Sequence, residues 1–114
     1  MSSVPPPNSA IAELSSSLGE ESARELVDMF LGNFPTVLGE LSSGDREQRR
    51  RAAHSLKSSA HIVGASVLSG RMAELEARLT LPAGEVTADD LAATIAEFDR
   101  IAGAMRAFVR QVGA

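Results

Sequence analysis

Both histidines of the chain lie in one short run, AAHSLKSSAHIVGA, which covers residues 52–65. His54 and His61 are seven residues apart, and Lys57 and Ser58 stand between them. In a helix, positions i, i+3, i+4 and i+7 share one face, so these four side chains form a single polar stripe. A neutral imidazole is a competent nucleophile near physiological pH, and a lysine beside it can pair with phosphate oxygens. The pattern therefore favours transfer of a phosphoryl group through a histidine.

Other motifs argue against nucleotide-driven and metal chemistry. The chain has no glycine-rich phosphate loop of the GxxxxGK or GxGxxG kind, so we do not expect it to take a phosphoryl group from ATP unaided. It has no cysteine, and Glu74 and Glu76 are the nearest acidic candidates for a metal site. Metal sites on helical bundles favour a Glu-x-x-His spacing contributed by several helices, so the metal interpretation is weak. The simplest alternative is a solvated histidine with no function.

Composition and charge limit the classes of protein to consider. The 114 residues suffice for one domain, and with 44% hydrophobic residues and a net charge of −4 they are typical of a soluble globular protein. The only basic run, 49–51, has no aromatic residues interleaved with it, which argues against nucleic-acid binding. No apolar run approaches the roughly 20 residues that span a membrane. We therefore expect a cytoplasmic monomer that binds no nucleic acid and does not insert into a membrane.

Helical periodicity dominates the chain. Apolar residues recur at three- and four-residue spacing in one short segment and four longer ones. The predicted helices cover residues 9–18, 20–41, 45–64, 66–79 and from 87 to near the C-terminus. They predict an all-α fold, an antiparallel four-helix bundle with a short additional N-terminal helix. Residues 1–8 are expected to form a disordered segment or linker, and residues 9–114 the bundle domain.

Several residues predict where these helices begin or bend. Ser9 and Asp45 stand at N-cap positions of the first and third helices. Thr87 can cap the fifth helix while Asp90 returns the hydrogen bond in a capping box. Pro35 lies inside the second helix, and because proline lacks a backbone donor we expect a kink or a break there.

The third helix has two distinct faces on a helical wheel. Its core stripe consists of Ala53, Leu56, Ala60 and Val63. The polar stripe that contains His54 is centred roughly 140° away from the core stripe. The sequence therefore predicts an exposed histidine in the middle of a helix that is held by its opposite face.

The same stretch resembles the signature of histidine-containing phosphotransfer (HPt) domains. That signature runs His-x-Leu-Lys-Gly/Ser-Ser and continues to a Gly-Ala pair. The matching residues here are His54, Leu56, Lys57, Ser58, Ser59, Gly64 and Ala65. The segments LVDMFLGNFPTVLGEL and LSGRMAELEARL are similar to the family's preceding and following helices, so the resemblance covers about residues 11–108.

The resemblance implies both a function and a set of site residues. HPt domains accept a phosphoryl group from the aspartate of one receiver domain and pass it to the aspartate of another. On this analogy His54 is phosphorylated on Nε2, Lys57 steadies the phosphoryl group, and Glu76 on the neighbouring helix orients the imidazole. The family places magnesium and the acidic pocket on the receiver. We therefore expect no cofactor and no kinase activity in this chain.

A partner surface is predicted around the histidine. It comprises Ser58, His61, Arg50, Arg51, Ile11 and Leu14. Ser58 stands where many family members have glycine, and His61 where a small or amide residue is more usual; we interpret His61 as a docking residue or a bystander. Arg50 and Arg51 are predicted either to steer an acidic receiver or only to solvate the helix.

Other functions share part of this pattern. A helical interaction module with incidental histidines is one alternative, and a chemotaxis-type phosphoacceptor domain served by a linked histidine kinase is another. The dimerisation domain of a sensor kinase usually follows its histidine with an acidic residue and then a proline, and HSLKSSA has neither. The sequence leaves open the identity of the receivers and whether the chain acts alone or within a larger kinase.

Overall fold

The computed structural model describes residues 4–110, and all regular structure in that range is helical. The helices are α1 (Ser9–Leu18), α2 (Glu20–Ser43), α3 (Arg46–Ile62), α4 (Ser66–Leu79) and α5 (Ala88–Val109). The predicted all-α fold, with one short and four longer helices, is confirmed. Residues 1–3 of the predicted linker and 111–114 of the predicted domain lie outside the described residues.

The four long helices enclose one apolar core. α2 packs against α3 and α5, α4 packs against the same two helices, and α1 packs against α2. Every helix contributes fully buried side chains, the largest being Phe108, Ile11, Leu41, Leu56, Leu68, Met72 and Met105. α3 therefore lies between α2 and α4, and its outer face is left to solvent.

Hydrogen bonds near both ends of α3 and α4 show that the two helices run in opposite directions. The Arg46 guanidinium, at the start of α3, donates to three carbonyl oxygens at the end of α4 and in the loop after it. These belong to Leu79, Leu81 and Pro82, at 2.9, 2.7 and 2.9 Å. At the other end, Ser69 Oγ of α4 donates to the Lys57 carbonyl of α3 at 2.9 Å. The bond to Leu79 occupies a carbonyl that the end of α4 leaves without a helical partner. Together these bonds set the register of α4 beside α3.

Two of the predicted helix caps are confirmed. The Asp45 side chain accepts from the Gln48 N–H, and the Gln48 side chain accepts from the Asp45 N–H, which completes a capping box at the start of α3. Thr87 and Asp90 form the same reciprocal pair at the start of α5. Each box satisfies two backbone donors that the first turn leaves without partners.

The cap of α1 differs from the prediction. Asn8, and not Ser9, is the N-cap: its Oδ1 accepts from the Ile11 N–H at 2.9 Å. Its Nδ2 donates to the Val63 carbonyl at 2.9 Å, at the C-terminal end of α3. The amide carries its acceptor and its donor on two separate atoms, so Asn8 can join two helix ends at once. Asn8, which the sequence placed in the segment 1–8, is thus bonded to the folded domain.

The Gly-Ala pair after α3 forms a tight helix ending. The Gly64 N–H donates to the His61 carbonyl and the Ala65 N–H donates to the Ala60 carbonyl, the Schellman pattern. Gly64 has a φ of 75°, a conformation that side chains disfavour. A Cβ there would lie 2.5 Å from the Asn8 side-chain oxygen. Only glycine therefore fits between the end of α3 and the start of α1.

Of the kink or break predicted at Pro35, the break is absent, because α2 continues through Pro35 from Glu20 to Ser43. Pro35 is exposed, whereas the preceding Phe34 is buried. The Phe34 ring stacks on Phe98 of α5 with centroids 3.7 Å apart. This packing on α5 holds the helix together across the hydrogen bond that proline cannot make.

Replacing Asn8 with alanine removes the cap of α1 and its bond to α3. We expect the free energy of unfolding to fall by about 1–2 kcal/mol, measured by urea denaturation with far-UV circular dichroism. Ser9→Ala is the matched control, because Ser9 is exposed and caps nothing; its effect should stay below about 0.5 kcal/mol. Equal losses in the two variants would contradict the assignment of the cap.

Candidate functional site

α3 presents an accessible histidine from a fixed helix. Its predicted core stripe is buried: Ala53, Leu56, Ala60 and Val63 are at most 2% exposed. The His54 side chain, on the other face, is 59% exposed. The capping box at Asp45 and the turn at Gly64 hold the two ends of the helix. The imidazole is therefore open to an approaching partner, while the backbone that carries it is held on three sides.

One carboxylate of α4 binds both predicted site residues of α3. Glu76 Oε2 lies 2.7 Å from His54 Nδ1, and Glu76 Oε1 accepts from Lys57 Nζ at 2.6 Å. The Glu76 side chain is 18% exposed and that of Lys57 34%. We refer to these three residues as the His54–Glu76–Lys57 cluster. The structure thus brings together the three side chains that the family resemblance singled out.

The cluster selects one tautomer of His54. The Lys57 ammonium, together with the His54 ring, lowers the pKa of Glu76 against the opposing effect of partial burial. Glu76 is therefore ionised at neutral pH and can only accept hydrogen bonds. Nδ1 must then carry the proton in the bond to Glu76, and Nε2 keeps its lone pair. The nitrogen expected to take the phosphoryl group is the one left as a nucleophile.

Ser69 is a site-supporting residue that the sequence reasoning missed. It lies seven positions before Glu76, on the same face of α4, and its hydroxyl bonds to the backbone carbonyl of Lys57. α4 thus contacts Lys57 twice, once at the backbone and once at the ammonium. Helical spacing puts Ser69 on the same face as Glu76, but no signal in the sequence identifies the carbonyl opposite it.

The two predicted steering arginines differ in their surroundings. The Arg50 guanidinium is bound by Glu47 through two hydrogen bonds of 3.1 and 2.6 Å. This pairing offsets much of its charge and lowers the pKa of Glu47. Arg51 is exposed and lines an open depression between α2 and α3, together with Glu40 and Ser55. Arg51 is therefore the better placed of the two to attract an acidic partner.

The prediction that Ile11 contacts a partner is wrong. Ile11 is 0% exposed and belongs to the core, because α1 packs its apolar face onto α2. Leu14 is half-buried and packs against the same core. In this fold Ile11 and Leu14 direct the apolar face of α1 toward the core and not toward a partner.

The exposed apolar surface near the histidine comes from α2 and α3 instead. Met29 is 61% exposed and Ile62 is 51% exposed. They line a groove between the two helices, which we call the α2–α3 groove. Its residues are Leu26, Met29, Phe30, Asn33, Ser59, Ile62 and Val63. Ser59 and Ile62 lie five and eight residues after His54 on α3, so the groove begins about one and a half turns along the helix from the histidine.

The remaining predicted surface residues lie on the other side of α3. Ser58 and His61 are exposed and, with Lys57, Ile62 and Ser69, line a depression between α3 and α4. The helical wheel placed His61, Lys57 and His54 on one face, and the structure agrees. A docking role for Ser58 and His61 stays a prediction.

Two kinds of site are not found in the described part of the chain. Residues 4–110 contain no group of three histidine or carboxylate side chains arranged to hold a metal ion. In the same range, no helix combines the length and apolar content needed to cross a membrane.

A helical scaffold that presents an exposed, carboxylate-bound histidine has the features of a phosphoryl carrier. The family model described as Hpt domain matches residues 25–111, which is most of the chain. The chain therefore belongs to the Hpt domain family, whose members carry out histidine phosphotransfer in phosphorelays and in general have no kinase activity of their own. No curated protein and no solved structure gave a significant match.

Replacing Lys57 with methionine removes the main donor to Glu76, so the pKa of Glu76 should rise toward its ordinary value. The direction of the Glu76 pKa shift also determines how the free energy of unfolding depends on pH. Since the folded-state pKa is lowered, the contribution of the cluster is present above the ordinary carboxyl pKa and is lost as the pH falls through the lowered value. A carbon-13 NMR titration of the side-chain carboxyl measures the change directly.

Arg100→Met is the matched control for this titration. Arg100 holds Glu97 as Lys57 holds Glu76, with bonds of 2.9 and 2.7 Å, and lowers the pKa of Glu97. This variant should raise the pKa of Glu97 and leave that of Glu76 unchanged. If the pKa of Glu76 is the same in wild type and Lys57→Met, the bond from Lys57 to Glu76 is refuted, and with it the His54–Glu76–Lys57 cluster.

Proposed function

We propose that this chain is a histidine phosphotransfer domain of a multistep His-Asp phosphorelay. His54 accepts a phosphoryl group from the aspartate of one receiver domain and passes it to the aspartate of another. The observation that carries the proposal is the 2.7 Å contact between Glu76 Oε2 and Nδ1 of a histidine whose side chain is 59% exposed. It leaves Nε2 as a free nucleophile on an open surface.

The acceptor step follows from this geometry. The Nε2 lone pair attacks the phosphorus of the aspartyl phosphate, the bond from phosphorus to the aspartate oxygen breaks, and the carboxylate leaves. The ring gains positive charge as the new bond forms, and the Glu76 carboxylate at Nδ1 stabilises that charge. Lys57, one turn along α3, provides a cation for the phosphoryl oxygens. Magnesium and the acidic pocket are supplied by the receiver.

We infer that the scaffold is an antiparallel four-helix bundle with α1 as an added cap. Each long helix packs against two others, and the bonds between α3 and α4 join the start of one to the end of the other. Such a bundle presents α3 as one of its outer edges, so a receiver can approach His54 without rearranging the fold.

The receiver is proposed to dock over His54 and the nearby α2–α3 groove. The groove offers exposed Met29 and Ile62 beside small side chains such as Ser59, and Arg51 adds a positive charge in the separate depression between the same two helices. A mixed surface of this kind suits a small, transient interface. On this proposal the chain is a cytoplasmic monomer when it meets the receiver. Ser58 and His61 lie at the edge of the contact.

Labelling with a phosphorylated receiver tests the acceptor. Wild-type protein should take up the phosphoryl group and His54→Gln should not, because the only oriented imidazole is lost. His61→Gln is the matched control: it should still take up the phosphoryl group, even if contact with the receiver is altered, since no hydrogen bond of the cluster involves its side chain. Strong labelling of His54→Gln together with loss in His61→Gln would move the acceptor to His61. Labelling only by a linked kinase, and by no receiver, would favour the chemotaxis-type alternative.

Ile62→Asp tests the docking surface. A charge in the α2–α3 groove should slow transfer from a receiver about tenfold or more, the size expected for a central interface residue. Labelling by the small donor phosphoramidate should be unchanged, since His54 itself is untouched. Leu81→Asp is the matched control, because Leu81 is 59% exposed but lies in the loop after α4. Equal transfer rates in the two variants would place the receiver elsewhere.

A further inference from the structure

The acceptor of the His54 Nδ1 proton is a charged carboxylate. A neutral amide in the same position would orient the ring equally well, since its oxygen also accepts a hydrogen bond. Glu76 adds a full negative charge at 2.7 Å from the ring nitrogen, in a side chain that is only 18% exposed and so partly shielded from water. The additional effect of this charge concerns the phosphorylated state of His54, and the inference therefore rests on the proposed function.

We propose that the charge of Glu76 keeps the ring of phosphorylated His54 protonated at Nδ1, so that the phosphoryl group is held in a labile form suited to onward transfer and not to storage.

The chemistry of the onward step makes ring protonation decisive. A carboxylate oxygen of the receiver attacks phosphorus, the bond from phosphorus to Nε2 breaks, and its electron pair returns to Nε2. If Nδ1 carries a proton, the leaving group is neutral imidazole and no other proton is needed. If Nδ1 is bare, the leaving group is an imidazolate anion, which leaves far less readily. The same argument applies when water is the attacking group, so hydrolysis reports the state of the ring.

The charges around the imidazole of phosphorylated His54 determine the highest pH at which the ring stays protonated. From α4, Glu76 favours the protonated ring. On α3, Arg50, Arg51 and Lys57 oppose it, but Arg50 is neutralised by Glu47. His61 lies two turns farther along α3. Glu40 of α2 lies beside Arg51, in the depression between α2 and α3 that both residues line.

Lys57 strengthens the effect when the phosphoryl group arrives. Its ammonium bonds to Glu76 in the present structure, at 2.6 Å. If it turns to the phosphoryl oxygens, it cannot keep that bond, and the carboxylate loses its nearest counter-charge. The full charge of Glu76 then acts on the ring at Nδ1. One lysine thus links arrival of the phosphoryl group to the charge that makes it labile.

The test compares the decay of phosphohistidine with and without this charge. Wild type, Lys57→Met and Lys57→Met/Glu76→Gln are phosphorylated with phosphoramidate, freed of the donor, and followed by phosphorus-31 NMR from mildly acidic to alkaline pH. The lysine is removed in both compared variants so that it does not compete for the amide oxygen of glutamine. The pH midpoint at which phosphohistidine becomes stable should lie about one pH unit lower in the double variant than in Lys57→Met.

Two further measurements separate charge from structure. Nitrogen-15 NMR should show a protonated Nδ1 in unphosphorylated Lys57→Met/Glu76→Gln, which establishes that the amide still orients the ring. Glu97→Gln is the matched control; Glu97 pairs with Arg100 on α5, so its loss should leave the decay profile as in wild type. Equal midpoints in Lys57→Met and the double variant, with Nδ1 protonated in both, would overturn the inference.

This experiment is independent of any receiver. If phosphohistidine forms on His54 and shows the expected shift, but no receiver exchanges phosphoryl groups with it, the proposed function fails and the inference stands. If receivers exchange normally and the midpoints coincide, only the inference fails.

Discussion

The functional surface depends on one carboxylate that bridges two helices. Glu76 reaches from α4 to α3 and holds His54 with one oxygen and Lys57 with the other. Both bonds require α4 to lie in a fixed register beside α3. The Arg46 guanidinium at one end of the pair and the Ser69 hydroxyl at the other provide that register through backbone carbonyls. A shift of α4 by one residue would turn Glu76 about 100° around its helix and remove it from the site.

The rest of the fold holds α3 still. Its inner face is buried between α2 and α4, its start is closed by the capping box at Asp45, and its end is closed by the turn at Gly64. Asn8 then ties that end to α1. A helix fixed at its ends and along one face can expose a reactive side chain without losing its position. This explains how a histidine that is largely open to solvent can still be oriented for chemistry.

The sequence predicted a large part of this arrangement and failed where contacts between distant segments decide. The approximate helix bounds, the cap at Asp45 and the capping box of Thr87 and Asp90 follow from periodicity and local side-chain chemistry, and the structure agrees with them. The sequence predicts Ser9 as the cap of α1, whereas the structure uses Asn8. Asn8 is favoured by a second hydrogen bond, to the Val63 carbonyl 55 residues away, which the local sequence does not reveal. Ile11 was assigned to the partner surface because a helical pattern shows which residues are apolar, but not whether they face a core or a partner.

The sequence by itself determined that His54 lies on an outer face of a helix with Lys57 beside it, because helical geometry fixes neighbours three and four residues apart. It also determined the family, through the residues that follow the histidine. Only the tertiary structure decided that the Glu76 carboxylate binds both side chains, and that the apolar surface beside them is built from Met29 and Ile62. The reason is physical. The spacing within one helix is set by its backbone, whereas the register between two helices is set by core packing and by long-range hydrogen bonds such as those of Arg46 and Ser69.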